Sequence, residues 1–227
     1  MPASPPELHV VDDPAADVGR LLADQAARGG SIVLTGGSTP GVAYERAADL
    51  QPDWGRVDLW WGDDRCVPPE DERSNYRLAR ETLLDHLEDP PRTVHRIRGE
   101  LPPLEAAREL DEELAGVTFD LMLLGLGPDG HMASLFPGSP QLLVEDRRAV
   151  SGPAGLEPWV DRVTMTLPTI QAARRIVFLV AGEDKADAVF RAFEGDITAE
   201  TPASLTRLAP VTVQIFLDRA AAAKLTQ

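Results

Sequence analysis

Phe119-Asp120-Leu121-Met122-Leu123-Leu124-Gly125-Leu126-Gly127-Pro128-Asp129-Gly130-His131 begins as an apolar, strand-like run and ends in a glycine-rich polar loop. The same form recurs on both sides of it. Ser31-Ile32-Val33-Leu34 runs into Thr35-Gly36-Gly37-Ser38-Thr39-Pro40, and Val57-Asp58-Leu59-Trp60-Trp61 into Gly62-Asp63-Asp64-Arg65. Ile176-Val177-Phe178-Leu179-Val180 runs into Ala181-Gly182-Glu183-Asp184-Lys185. Further strands are expected at Leu8–Val11, Val94–Ile97, Val163–Leu167 and Val211–Phe216. Segments with helical spacing lie between them: 15–28, about 41–49, 75–86, 103–114, a short one from Pro168, 185–193 and a terminal one at 219–225. Residues 138–161 read as irregular. Alternating strand and helix predicts an α/β fold, a mostly parallel sheet with helices on both faces. No linker or repeat interrupts the pattern, so one domain over residues 1–227 is expected. Ligands of such sheets bind outside the carboxyl ends of the strands. Polar clusters at four such ends therefore predict one shared site, and only the cluster after Leu124 contains a histidine.

The composition narrows the classes of function. The chain has 227 residues, 43% hydrophobic, with a net charge of −15. So acidic a protein lacks the positive footprint that nucleic acid or an anionic membrane requires. An anionic metabolite would have to be held by a local concentration of cations and backbone N–H groups. No apolar run approaches the roughly 20 residues of a membrane span. Met1-Pro2-Ala3-Ser4-Pro5-Pro6-Glu7 lacks the parts of a signal peptide, and a single cysteine, Cys66, forms no internal disulfide. A cytoplasmic protein is expected. The histidines, His9, His86, His95 and His131, show no metal-ligand spacing, so no metal or other cofactor is expected.

Each cluster admits a bland reading beside a chemical one. Gly36-Gly37-Ser38-Thr39-Pro40 between a strand and a helix is either an anion cradle, with free N–H groups at a helix N-terminus, or an ordinary turn with a hydroxyl cap. Gly125 to Gly130 matches G-x-G-x-x-G, but Pro137-Gly138 prevents the full crossover helix that a dinucleotide site needs. His131, two residues after Asp129 in a strand-end loop, is placed as a general base. Asp63-Asp64-Arg65 is either an anion-clamping set or a surface ion-pair cluster. Lys185 either reaches an anion at the sheet edge or is a solvated helix residue, and Arg162 is likewise an anion ligand or surface. Ser74-Asn75-Tyr76 reads as an N-cap opening a helix.

Taken together, several segments closely resemble the 6-phosphogluconolactonases. They are Leu34 to Pro40, Trp61 to Pro68 with Ser74-Asn75-Tyr76, Leu124 to His131 with Ala133-Ser134-Leu135-Phe136-Pro137, Arg162 to Thr166, and Gly182 to Ala186. The likeness runs in order along nearly the whole chain. It implies the Rossmann-like fold shared with the glucosamine-6-phosphate isomerases. It also implies hydrolysis of 6-phospho-D-glucono-1,5-lactone in the pentose phosphate pathway, with that phosphosugar lactone as partner. The sequence does not fix the oligomeric state; a monomer is favoured. In this reading His131, Asp63, Arg65 and Asp129 serve the chemistry. Gly36, Gly37, Ser38, Thr39, Gly127, Arg162 and Lys185 bind the substrate. The family usually has Glu where this chain has Asp64, and often Thr where it has Met132. The deaminases on the same fold place a glutamate five residues after the histidine, where this chain has Phe136. A non-catalytic phosphosugar sensor would keep the cradle without needing His131.

Overall fold

The computed structural model describes residues 5–226. Its strands are β1 (Glu7–Val10), β2 (Gly30–Leu34), β3 (Val57–Trp61), β4 (Asp63–Arg65), β5 (Thr93–His95), β6 (Leu121–Leu124), β7 (Ala149–Gly152), β8 (Arg162–Met165), β9 (Ile176–Val180) and β10 (Val213–Leu217). The helices are α1 (Pro14–Arg28), α2 (Ser38–Leu50), α3 (Asn75–Thr82), α4 (Pro103–Glu113), α5 (Leu167–Gln171) and α6 (Ala186–Phe193). β6 and β9 are buried along their whole length, as their uninterrupted Leu, Met, Ile, Val and Phe residues require. They lie inside a seven-stranded sheet of order β1-β10-β9-β6-β2-β3-β5, paired in parallel throughout.

The order of the strands explains where the helices lie. From β2 the chain moves outward to β3 and β5; from β6 it moves the other way, to β9 and β10. Right-handed crossovers that leave in opposite directions put their helices on opposite faces of the sheet. α1, α2 and α3 therefore share one face, where α1 packs on α2 and α2 on α3. α4 and α6 fall on the other. The point of divergence, between β2 and β6, is the topological switch point, where the strands pair Ile32 with Leu121 and Val33 with Met122.

A second, antiparallel sheet of order β4-β8-β7 was not expected. Asp63-Asp64-Arg65 has no strand propensity of its own. It is extended because it pairs with β8, Asp63 opposite Thr164 and Arg65 opposite Arg162. β7 lies inside the stretch expected to be irregular. Other boundaries also move. Residues 75–86 divide into α3 and a 3-10 turn at Leu84–His86, and α2 begins at Ser38 rather than near Gly41. Residues 219–225 form turns, not a helix. The Asp218 carboxylate accepts from Ala221 N–H at 2.7 Å and from Gly182 N–H at 3.0 Å, and this holds the segment against the loop after β9.

Candidate active site

The loops after β2 and β6 are neighbours because their strands are, and they open onto one cavity of about 370 Å³ at the switch point. Thr35 to Pro40, Gly125 to Pro128 and His131 line it. So do Asp63, Arg65, Asn75, Ala133, Leu156, Glu157 and Lys185.

The β2 loop offers unused donors. Gly37, at φ +114°, makes the N-cap of α2, and no side chain caps the helix. The expected alternative, a hydroxyl-capped turn, is thus not what forms. The first N–H groups of α2 meet the cavity beside the Ser38 and Thr39 hydroxyls, with the positive end of the helix dipole behind them. The base of the loop is fixed by Tyr44. Its buried hydroxyl donates to Thr35 O at 2.6 Å and accepts from Thr35 N–H at 2.9 Å. Burial raises the Tyr44 pKa far above the usual tyrosine range, so the hydroxyl keeps the proton that this double bond requires.

The β6 loop is tied down throughout. His131 Nδ1 lies 2.5 Å from Asp129 Oδ1, and the same oxygen accepts the His131 backbone N–H at 3.1 Å. A carboxylate at Nδ1 fixes that nitrogen as the donor and leaves Nε2 as the lone-pair base. Burial raises the Asp129 pKa, but the hydrogen bond and charge of His131 outweigh it and hold the carboxyl below its usual range. Gly127 accommodates the pair: a Cβ there would fall 2.0 Å from His131 Nδ1. Gly130, at φ +92°, backs onto Thr201, and its carbonyl accepts from Ala203 N–H at 3.0 Å. Arg191 donates to Pro128 O at 3.0 Å. Ala133 is the one non-glycine residue with positive φ among the described residues, at +47°. The buried Phe136 ring packs 4.6 Å from the imidazole.

The two adjacent aspartates of β4 face different surroundings. Asp63 lines the cavity and is held by Ser134 Oγ at 2.5 Å and by Asn75 Nδ2 at 3.3 Å. Asp64 points the other way, into the start of α3. It accepts the N–H groups of Arg65 and Asn75 at 2.7 Å and of Tyr76 at 3.0 Å, and the Ser74 hydroxyl at 3.1 Å. Burial pushes its carboxyl up to about 6 against the pull of those backbone donors. The family's usual Glu therefore has its counterpart in a shorter carboxylate that joins β4 to α3 without lining the cavity. Met132, the other departure, is fully buried in the core. Arg65 lines the cavity with its Nη1 fixed to Arg73 O at 2.5 Å, and its buried Nε finds no acceptor among the described residues.

Arg162 departs from expectation. It does not line the cavity. It is 4% exposed and donates to Pro158 O at 2.9 Å and Leu156 O at 3.3 Å, holding the loop that places Leu156 and Glu157 at the cavity wall. Burial, with Arg65 alongside, lowers its pKa. Lys185 does reach the cavity, from a 3-10 turn at Glu183–Lys185, with Asp184 3.5 Å from its Nζ. Burial pushes the Cys66 thiol up to about 11, which suits a structural residue rather than a nucleophile. Asn75, Ser134 and the 156–157 loop are absent from the sequence-based site. Asn75 and Ser134 stood in segments that carry the resemblance but were given no part in the site, and nothing local marks residues 156–157.

These features define a class: a parallel α/β protein with a carboxylate-oriented imidazole beside an uncapped helix N-terminus at its switch point. The chain belongs to the glucosamine-6-phosphate isomerase/6-phosphogluconolactonase family, whose model matches residues 9–214. It is 40% identical over 225 residues to the 6-phosphogluconolactonase of Mycobacterium tuberculosis, covering 92% of this chain and 90% of that one. The 6-phosphogluconolactonase structure from Trypanosoma brucei superposes with a TM-score of 0.85 at 27% identity, over 97% and 99% of the two chains. A monomeric glucosamine-6-phosphate deaminase shares the fold with the same TM-score at 21% identity, over 96% and 99%. Among the described residues no helix is long and apolar enough to cross a membrane.

Proposed function

We propose that the protein hydrolyses 6-phospho-D-glucono-1,5-lactone to 6-phospho-D-gluconate, as a cytoplasmic, monomeric enzyme of the oxidative pentose phosphate pathway. The observation that carries this reading is the Asp129–His131 contact, whose imidazole meets the same cavity as the α2 N-terminus and Lys185. His131 Nε2 takes a proton from water as its oxygen attacks C1. The tetrahedral oxyanion is stabilised by Arg65 and by backbone N–H groups of the glycine loops. Collapse breaks the C1–ring oxygen bond, and His131 returns the proton to the departing ring oxygen, giving the acid and a free hydroxyl. Asp129 orients the imidazole, and Asp63 orients sugar hydroxyls and Arg65. Gly36, Gly37, Ser38, Thr39 and Lys185 hold the 6-phosphate, which aligns the lactone over the base. Gly127 gives the imidazole its room. We assign Arg162 to the loop at the cavity wall.

Phe136 argues against the deaminase reaction. Where that enzyme places a glutamate, this chain sets a buried phenyl ring against His131. The test is a coupled assay of acid release from freshly generated phospholactone, corrected for spontaneous hydrolysis, beside an assay of ammonia from glucosamine 6-phosphate. Rapid lactone consumption without ammonia is expected. Ammonia release without faster lactone hydrolysis would reverse the assignment.

A further inference from the structure

Among the described residues two carboxylates line the cavity, those of Asp63 and Glu157. Asp63 is buried and held by Ser134 and Asn75. Glu157 is exposed, and among the described residues no hydrogen bond or ion pair engages its carboxylate. Arg73 shares a shallow surface hollow with it, but that guanidinium is already paired with Asp71. The backbone that carries Glu157 is fixed. Arg162 Nη2 donates to Leu156 O at 3.3 Å and to Pro158 O at 2.9 Å, the carbonyls on either side of it. Gly155 is seated on Phe136, where a Cβ would fall 2.5 Å from Cγ, and the Phe136 ring packs against the imidazole. The loop therefore joins the cavity on the side of His131, and a buried cation holds a free negative charge there.

The charge of the reacting ligand changes late. When water attacks, its proton passes to His131, so imidazolium and oxyanion form together and the net charge of the site is unchanged. Ring opening returns that proton to the ring oxygen and leaves a neutral carboxylic acid. Only when this acid gives its proton to solvent does the ligand gain a negative charge at C1. A nearby carboxylate feels the paired charges of the intermediate weakly and the lone charge of the product in full. Donors that stabilise the oxyanion, Arg65 among them, suit the product carboxylate as well and would retain it.

We propose that Glu157 is a specificity-determining residue that sets substrate against product: its charge repels the C1 carboxylate of 6-phosphogluconate and has no such charge to act on in the lactone. The proposal rests on the lactonase reading and names the state of the ligand that this wall disfavours.

The experiment compares, by calorimetry, the binding of 6-phosphogluconate with that of glucose 6-phosphate, which carries the phosphate but no charge at C1. Both ligands present the phosphate to Glu157, so the ratio of their Kd values isolates C1. Glu157→Gln should shift that ratio about three- to tenfold in favour of 6-phosphogluconate, the effect of removing one partly screened charge. Glu157→Lys should shift it further in the same direction, and salt at about 0.5 M should shrink both shifts. The position is exposed, so neither substitution disturbs the core. Initial-rate kcat/KM of Glu157→Gln on the lactone should stay within about threefold of wild type. A ratio unchanged in both variants, or a loss in kcat/KM beyond about tenfold in Glu157→Gln, would overturn the proposal alone, provided that wild type hydrolyses the lactone. Wild-type protein that neither hydrolyses the lactone nor binds 6-phosphogluconate would overturn the lactonase reading and this proposal with it.

Discussion

The two loops that meet at the switch point are built on opposite plans. The loop after β2 leaves its helix end without a side-chain cap, and only its base is pinned, by Tyr44. The loop after β6 has its carboxylate, its carbonyls at Pro128 and Gly130 and its imidazole all engaged with protein groups. Free donors suit a site that must accept a ligand's charge. Engaged groups suit a site that must hold one reacting atom in one place. On the proposed mechanism the difference separates binding from chemistry along a single crevice, and substitutions in the two loops should fail in different ways.

The largest effect is expected at the base. His131→Ala should lower kcat by about 10²–10⁴-fold with a smaller change in KM. A folded variant with near wild-type turnover would remove the chemical half of the contrast. Gly127→Ala sharpens it without removing a titratable group. The added methyl must displace the imidazole, and a misplacement near 1 Å lowers the rate by about 10²-fold. The product's dissociation constant should stay within about threefold of wild type, as measured by calorimetry. A joint loss of binding and rate would show that the β6 loop also carries ligand.

On the other side of the crevice, Lys185→Ala should weaken 6-phosphogluconate binding by about 2–3 kcal/mol, the range for a charged hydrogen bond. Turnover of the unphosphorylated lactone should hardly change. Equal losses on both lactones would place Lys185 at the reacting carbon or in a structural role. A last effect concerns stability rather than activity. Burial raises the Asp64 carboxyl to about 6 from an ordinary value of 3.8, so the native state keeps a proton that the unfolded chain has released in that interval. The stability contributed by this group should therefore be greatest below about pH 4 and fall as pH rises through 6, by on the order of 2–3 kcal/mol. Asp64→Asn should flatten that part of the urea-midpoint profile. An unchanged slope would assign it to other groups.

Much of this contrast could be read from the chain before any coordinates. Uninterrupted apolar runs gave the parallel strands, and glycine clusters at their ends, one of them with a histidine, gave the two loops. Strands whose form depends on a partner were not legible. β4 is a run of charged residues made extended by β8, and β7 hides among prolines and glycines. The alanine-rich tail misled for a related reason. Seven residues are too few to sustain a helix alone, and Asp218 binds that tail elsewhere. Arg162 looked like an anion ligand because its charge was visible and the carbonyls of Leu156 and Pro158 around it were not. Asn75 was readable as a helix start, but its amide bond to Asp63 exists only once α3 has packed beside β4.

The seam between β2 and β6 also governs how the protein must be assembled. Each flank can form from its own neighbouring segments, β2 with β3 on one side and β6 with β9 on the other. The crevice appears only when Ile32 meets Leu121 and Val33 meets Met122, pairs 89 positions apart along the chain (121 − 32), a separation that makes parallel pairing slow. During refolding from denaturant, helical signal should thus return before turnover does. The interval between them is the lifetime of a chain that has both halves of a catalyst and no active site.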